Sequence, residues 1–187
     1  DYLDDLGEQD REIGRLRSRA EHVLIANGDA VIATCVLFDR PRDYTVHVRY
    51  GAYAQRQAQQ LWTQCAEVRR WDWLLRIRME AADTCEASLE SRELYDLIYQ
   101  WLPYDSFDSS ISMRTIVTRL SHMLRRGGEA FVVGPVHLGE LLTQEPSRLL
   151  VHWEEAVVSL PTFLMHKTIL PKARVKAGLT LFHVRRL

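Results

Sequence analysis

Two periodicities alternate along the chain. "EHVLIA" (21 to 26), "YTVHVRY" (44 to 50), "WLLRIRM" (73 to 79), "LYDLIYQWL" (94 to 102) and "EAFVVGP" (129 to 135) are short runs rich in β-branched and aromatic residues, the composition of strands. Between them, apolar positions recur every three or four residues, the spacing of a helix with one buried face. Over 52 to 71 these are Ala54, Ala58, Leu61, Trp62, Cys65 and Val68, with Gln and Arg opposite; over 110 to 126 they are Met113, Val117, Leu120, Met123 and Leu124. The second helix is predicted to begin on a Ser109 or Ser110 cap and to stop at Gly127 and Gly128, with Arg125 and Arg126 at the negative end of its dipole.

Strands alternating with helices predict right-handed crossovers and an α/β fold, a mainly parallel sheet with helices on both faces. Its core is predicted from Val23, Leu24, Ile25, Val46, Val48, Leu75, Ile77, Leu97, Ile98, Phe131, Val132 and Val133. "RLLVHWEEAVVSL" and "GLTLFHVRRL" are also strand-like, and the Pro-containing stretch between them has little amphipathic helix, so the last strand is expected to return antiparallel. Residues 1 to 20, acidic then basic, read as an N-terminal helix or arm, and 21 to 187 as one domain. No repeat or Gly/Ser linker divides it.

Composition narrows the function. The 187 residues, 47% hydrophobic and 26% charged, suit one domain with a full core. Lys plus Arg number 24 against 25 Asp plus Glu, so the net charge of -1 gives no overall attraction to nucleic acid or to an anionic membrane and leaves room only for a local basic face. Cys35, Cys65 and Cys85 are odd in number, far apart and without a CxxC, which argues against a disulfide framework and a zinc site and for reduced thiols in a cytoplasm. There is no apolar run of about 18 residues, and the N-terminus is too charged for a signal peptide. The first residue is Asp rather than Met, so the chain is expected to be part of a longer protein, whose remainder is one expected partner. Seven histidines at 22, 47, 122, 137, 152, 166 and 183 show no HxxxH or HxH, so no metal is expected. Without GxSxG, a P-loop or CxxC, serine hydrolase, NTPase and thioredoxin chemistries have no footing.

The order of "LYDLIYQWLPYDSF", a helix and "MLRRGGEAFVVGP" resembles the second half of the class I S-adenosylmethionine-dependent methyltransferases. "WDWLLRIRMEAADT" is similar to the family's third strand and following loop, and "GLTLFHVRRL" to its closing antiparallel strand. The resemblance implies a Rossmann-like sheet, S-adenosylmethionine as cofactor and methyl transfer to an unknown acceptor. It places Asp83 at the adenine and Asp96 in a structural role near a strand start.

The same resemblance exposes departures. "VLIANGDA" falls on the family's acidic-x-Gly-x-Gly-x-Gly loop with Gly28 and Asp29 retained, Ala30 where glycine is usual and Ile25 where an acid is usual. The family's second strand ends in an acid that accepts from the ribose hydroxyls; here "TVHVRYGAY" ends in Arg49 and Tyr50, and arginine has no acceptor. Arg49 suits a phosphate or carboxylate instead. The cofactor positions are therefore Asn27, Gly28, Asp29, Arg49, Asp83 and Gln100, with affinity expected to be weakened or lost. From the residues alone, Asn27 to Asp29 equally form a tight turn, and Asp83 equally caps a helix through "TCEASLE".

Gln100, Trp101, Pro103, Tyr104 and Asp105 follow the "YDLI" strand, where a substrate sits in such folds, and Tyr104 or Asp105 would orient or deprotonate the acceptor. His137, after the next strand, is a candidate base near neutral pH. The competing expectation is a catalytically inactive scaffold or regulatory domain with a protein partner, since a fold hosts function without guaranteeing it. The basic stretch at 160 to 178 would serve as a docking loop or as plain solvated surface. A dinucleotide dehydrogenase needs GxGxxG and an acid after the second strand, and has neither.

Overall fold

The computed structural model describes residues 19–26, 43–48, 51–67, 69–81, 95–101, 110–144, 148–156 and 179–187. Among these residues seven strands form one sheet: β1 (His22–Ala26), β2 (Asp43–Val48), β3 (Ile77–Ala81), β4 (Tyr95–Trp101), β5 (Leu124–Pro135), β6 (Leu149–Ala156) and β7 (Leu179–Arg186). Their spatial order is β3-β2-β1-β4-β5-β7-β6. The pairs from β3 through to β5 are parallel, whereas β7 runs antiparallel to both β5 and β6. The mainly parallel sheet with an antiparallel C-terminal strand is thus the one the pattern predicts.

Helices α1 (Gly51–Glu67), α2 (Trp71–Leu74), α3 (Ser110–Met123) and α4 (Leu138–Thr143) lie between strands. The 3.6-residue spacing of α3 gives it one apolar stripe. Met113, Ile116, Val117, Leu120 and Met123 pack with Leu138 and Leu142 of α4 against Leu24, Ile98, Ala130, Val132, Phe182 and Val184. Val23, Leu97, Tyr99 and Phe131, the alternate positions of the same strands, are also buried. Burial on both faces is why these strands read as continuous apolar runs; each fully buried Leu, Ile or Phe contributes about 1.5–3 kcal/mol.

α1 ends in a Schellman arrangement, with Arg70 N–H donating to the Cys65 carbonyl at 2.9 Å and Arg69 N–H to that of Ala66 at 3.1 Å. Arg69 occupies the left-handed position usually held by glycine, at φ 55°.

Three expectations are corrected. Leu75, expected in the core, is 90% exposed, because Trp71–Leu74 coil into α2 and the strand starts only at Ile77. On α1, Leu61 and Cys65 are buried, but Ala58 and Trp62 face outward, and Trp62 packs edge-on to Trp71 at 5.6 Å. α3 stops at Met123, before the double glycine, because Leu124 is drawn into the core and pairs with Tyr95; the ladder then resumes at Leu97 and Glu129. Residues 125 to 128 bulge between those pairs, so Arg125 serves an ion pair with Asp96 and not the helix dipole.

Candidate functional site

β1 leads sideways to β2 and β3 in one direction, while β4 and β5 add in the other, so the sheet reverses its order between β1 and β4. In open α/β sheets a ligand crevice forms at the carboxyl ends of the strands on either side of such a reversal. Here Ala26, the last residue of β1, lies in register with Gln100, one residue before the end of β4. Gln100 is only 1% exposed, which places a carboxamide, both donor and acceptor, inside the protein beside the end of β1.

β5 reaches Pro135, two residues past the pairing of Trp101 with Val133. There the chain turns, with Gly139 N–H donating to the Val136 carbonyl at 3.1 Å, and His137 sits exposed at the start of α4. Gln100 and His137 are therefore brought to the same sheet edge, one buried and one at the surface. Asn27, Gly28, Asp29, Arg49, Asp83, Tyr104 and Asp105 lie outside the described residues; the strands preceding them end at Ala26, Val48, Ala81 and Trp101.

The opposite, amino edge is organised by Asp96. Its Oδ2 accepts the backbone N–H groups of His22 (2.9 Å) and Glu21 (3.2 Å), and its Oδ1 accepts Nη1 of Arg125 at 3.0 Å. One carboxylate thus ties the starts of β1, β4 and β5, the structural role expected of it. Beside it, Arg186 of β7 donates through Nη1 to the Leu124 carbonyl.

Sequence reasoning missed a buried polar pair between β5 and β7. His183 Nε2 lies 2.5 Å from Glu129 Oε2, and the His183 ring stacks on Phe131 at 4.9 Å and on His152 at 5.1 Å. Tyr99 continues this aromatic row onto β4, 6.1 Å from Phe131, and complete burial pushes its phenol well above the usual range. No local signal marks this pair: Glu129 and His183 become diagonal neighbours only through the register that sets Phe131 opposite His183 and Glu129 opposite Arg185. Among the described residues no group of three His, Cys, Asp or Glu is placed to hold a metal, and no helix is long and apolar enough to cross a membrane.

No protein-family model and no curated protein matches the chain. Solved structures do. The chain is similar to the N-methyltransferase NodS from Bradyrhizobium japonicum WM9, with 18% identity, a TM-score of 0.63 and 96% of each chain covered. That protein is also solved in complex with S-adenosyl-L-homocysteine. The O-methyltransferase of a trans-AT polyketide synthase multienzyme of Brevibacillus brevis, likewise in complex with S-adenosyl-L-homocysteine, matches at 16% identity and TM-score 0.62, covering 94% of this chain and 71% of that one. The [4+2]-cyclase SpnF matches at 13% identity and TM-score 0.63, with 94% and 80% covered. The chain has the fold of the class I S-adenosylmethionine-dependent methyltransferases.

Proposed function

We propose that the chain is an S-adenosylmethionine-dependent methyltransferase domain with the cofactor in the crevice at the carboxyl ends of β1 and β4. The observation that carries this reading is the order reversal at that point, with the buried Gln100 carboxamide beside Ala26. When bound, the cofactor supplies an electrophilic methyl group. Adenine and ribose offer both donors and acceptors, and the Gln100 amide complements either. Asn27, Gly28, Asp29 and Asp83 are the further positions for holding it, while Tyr104, Asp105 and His137 are those for orienting or deprotonating the acceptor.

The donor set is incomplete on the β1 and β2 side. Ile25 replaces an acid on β1, and Arg49, the first residue past Val48 of β2, cannot accept from a ribose hydroxyl. Each unmet contact costs about 1–3 kcal/mol, or one to two decades of affinity. Cofactor binding is accordingly weaker than a complete site gives. The same two positions favour a second reading, a scaffold or regulatory domain that has lost catalysis and binds a protein partner.

Calorimetric titration of S-adenosylmethionine and S-adenosylhomocysteine into wild type, Arg49→Glu and Gln100→Leu tests this. The expected result is weak saturable binding, tighter in Arg49→Glu and weaker in Gln100→Leu. No binding by wild type and none gained in Arg49→Glu would leave the scaffold reading. Micromolar binding by wild type would overturn the weakening argued from Ile25 and Arg49.

A further inference from the structure

The amino edge of the sheet carries charge that the balanced composition conceals. A hollow of about 360 Å³ opens there, lined by Arg19, Arg125, Arg126 and Arg185 together with Asp96 and Glu129. Three strand boundaries bring these arginines together: the approach to β1, the bulge that opens β5 and the end of β7. The two "RR" pairs at 125–126 and 185–186 are far apart in sequence, but antiparallel pairing of β5 with β7 puts them at one edge.

Both acids are turned to partners inside the fold. Asp96 holds two backbone N–H groups and Arg125, and Glu129 holds His183. Arg19, Arg126 and Arg185 are exposed and form no ion pair among the described residues. Arg185 arches over the bulge, its Nη2 only 3.6 Å from where a Cβ on Gly127 would stand. Four guanidinium groups against two internally engaged carboxylates leave an excess of positive charge facing the hollow.

Guanidinium groups bind phosphoryl oxygens bidentately, and arginines from separate segments converge on one anion from several directions. The hollow falls in the size range of small-molecule sites. A hollow of this volume holds a compact ligand, whereas a nucleic-acid strand requires a groove that tracks its backbone. We propose that this hollow binds a compact polyphosphate-bearing small molecule, at a site separate from the crevice. The length of β4, seven residues, keeps the two edges about 20 Å apart.

The probe is inorganic tripolyphosphate, titrated by calorimetry into wild type, Arg126→Ala, Arg185→Ala, the double variant and Arg56→Ala, whose exposed arginine lies on α1. Saturable micromolar binding is expected, weakened about tenfold by each single change, which is about 1.4 kcal/mol, and about a hundredfold by the double change. Arg56→Ala and saturating S-adenosylhomocysteine should leave it unaltered. In wild type, tripolyphosphate should also protect Arg126 and Arg185 from phenylglyoxal, a readout independent of any variant. Failure to saturate at millimolar concentration, wild-type affinity in the double variant, or absence of protection overturns the proposal. So does binding of short single-stranded RNA or of phosphatidylserine vesicles that is tighter than that of tripolyphosphate and is lost in the double variant.

Discussion

Arg125 reaches Asp96 across the amino edge of the sheet, Nη1 to Oδ1 at 3.0 Å, while the other carboxylate oxygen holds the backbone of His22 at 2.9 Å. Replacing Asp96 with alanine removes an acceptor shared by three strand starts. Both side chains are partly solvated, so water recovers some of the loss, and Asp96→Ala is expected to cost about 1–3 kcal/mol in urea unfolding. Affinity for S-adenosylhomocysteine should stay unchanged, because the residue stands at the far end of β4. A change in affinity with unchanged stability would contradict the structural role.

The two glycines of the bulge differ in kind. A Cβ on Gly128 would lie 2.8 Å from the Arg125 carbonyl oxygen and 3.2 Å from those of Asp96 and Tyr95, all of them backbone. On Gly127 it would meet only the far end of the Arg185 side chain, and the penalty there is the left-handed φ of 74°. Gly127→Ala is expected to cost about 1–2 kcal/mol. Gly128→Ala should cost more, since backbone has to move. Thermal melts of the two variants give the order, and the reverse order would refute the geometry.

Leu75 and Leu97 look alike in sequence, each inside an apolar run, yet one is 90% exposed and the other 1%. Leu97→Ala should cost about 2–5 kcal/mol, whereas Leu75→Ala should stay within about 0.5 kcal/mol of wild type. Comparable losses for both would restore Leu75 to the core.

That pair also marks where sequence stops specifying structure. Period and composition located the strands at Val23–Leu24, Leu97–Ile98 and Phe131–Val132 and the buried stripe of α3, because burial on both faces of a parallel sheet leaves a dense apolar run. They did not locate α2, since a run such as "WDWLL" suits a short helix as well as a strand. Nor did they separate Ala58 and Trp62 from Leu61 and Cys65, because only packing shows how wide a helix's buried stripe is. Of the candidate positions, the place of Gln100 at the carboxyl end of β4 and of His137 just past β5 could be read from the strand pattern. The Glu129–His183 pair and the arginine edge were not, because both depend on the register of β5 against β7.

Burial pushes the Cys65 thiol above its ordinary value; nearby Asp72 adds to this and Arg70 opposes it. The fold therefore favours the neutral thiol. Its contribution to stability is complete below the unfolded thiol's pKa, about 8.5, and is lost as pH rises through the raised folded value. In a Cys35→Ser, Cys85→Ser background, Ellman's reagent at pH 8 should label native protein slowly and urea-unfolded protein at once. Equal rates would show that Cys65 is accessible.

Glu129 and His183 meet at 2.5 Å in the sheet interior, and the imidazole is stacked between Phe131 and His152. Glu129→Leu deprives a buried ring nitrogen of this partner and is expected to cost about 1–3 kcal/mol. His183→Phe keeps the stacking surface but takes this donor from a buried carboxyl, and should cost more. In the double variant neither group is left facing a missing partner, and an apolar pair fills the space between β5 and β7. Its loss should therefore fall short of the sum of the single losses by about 1–3 kcal/mol, the coupling that a double-mutant cycle in urea reads directly. Additive losses would mean that the two side chains do not stabilise one another, and that the row from Tyr99 to His152 is held by stacking alone.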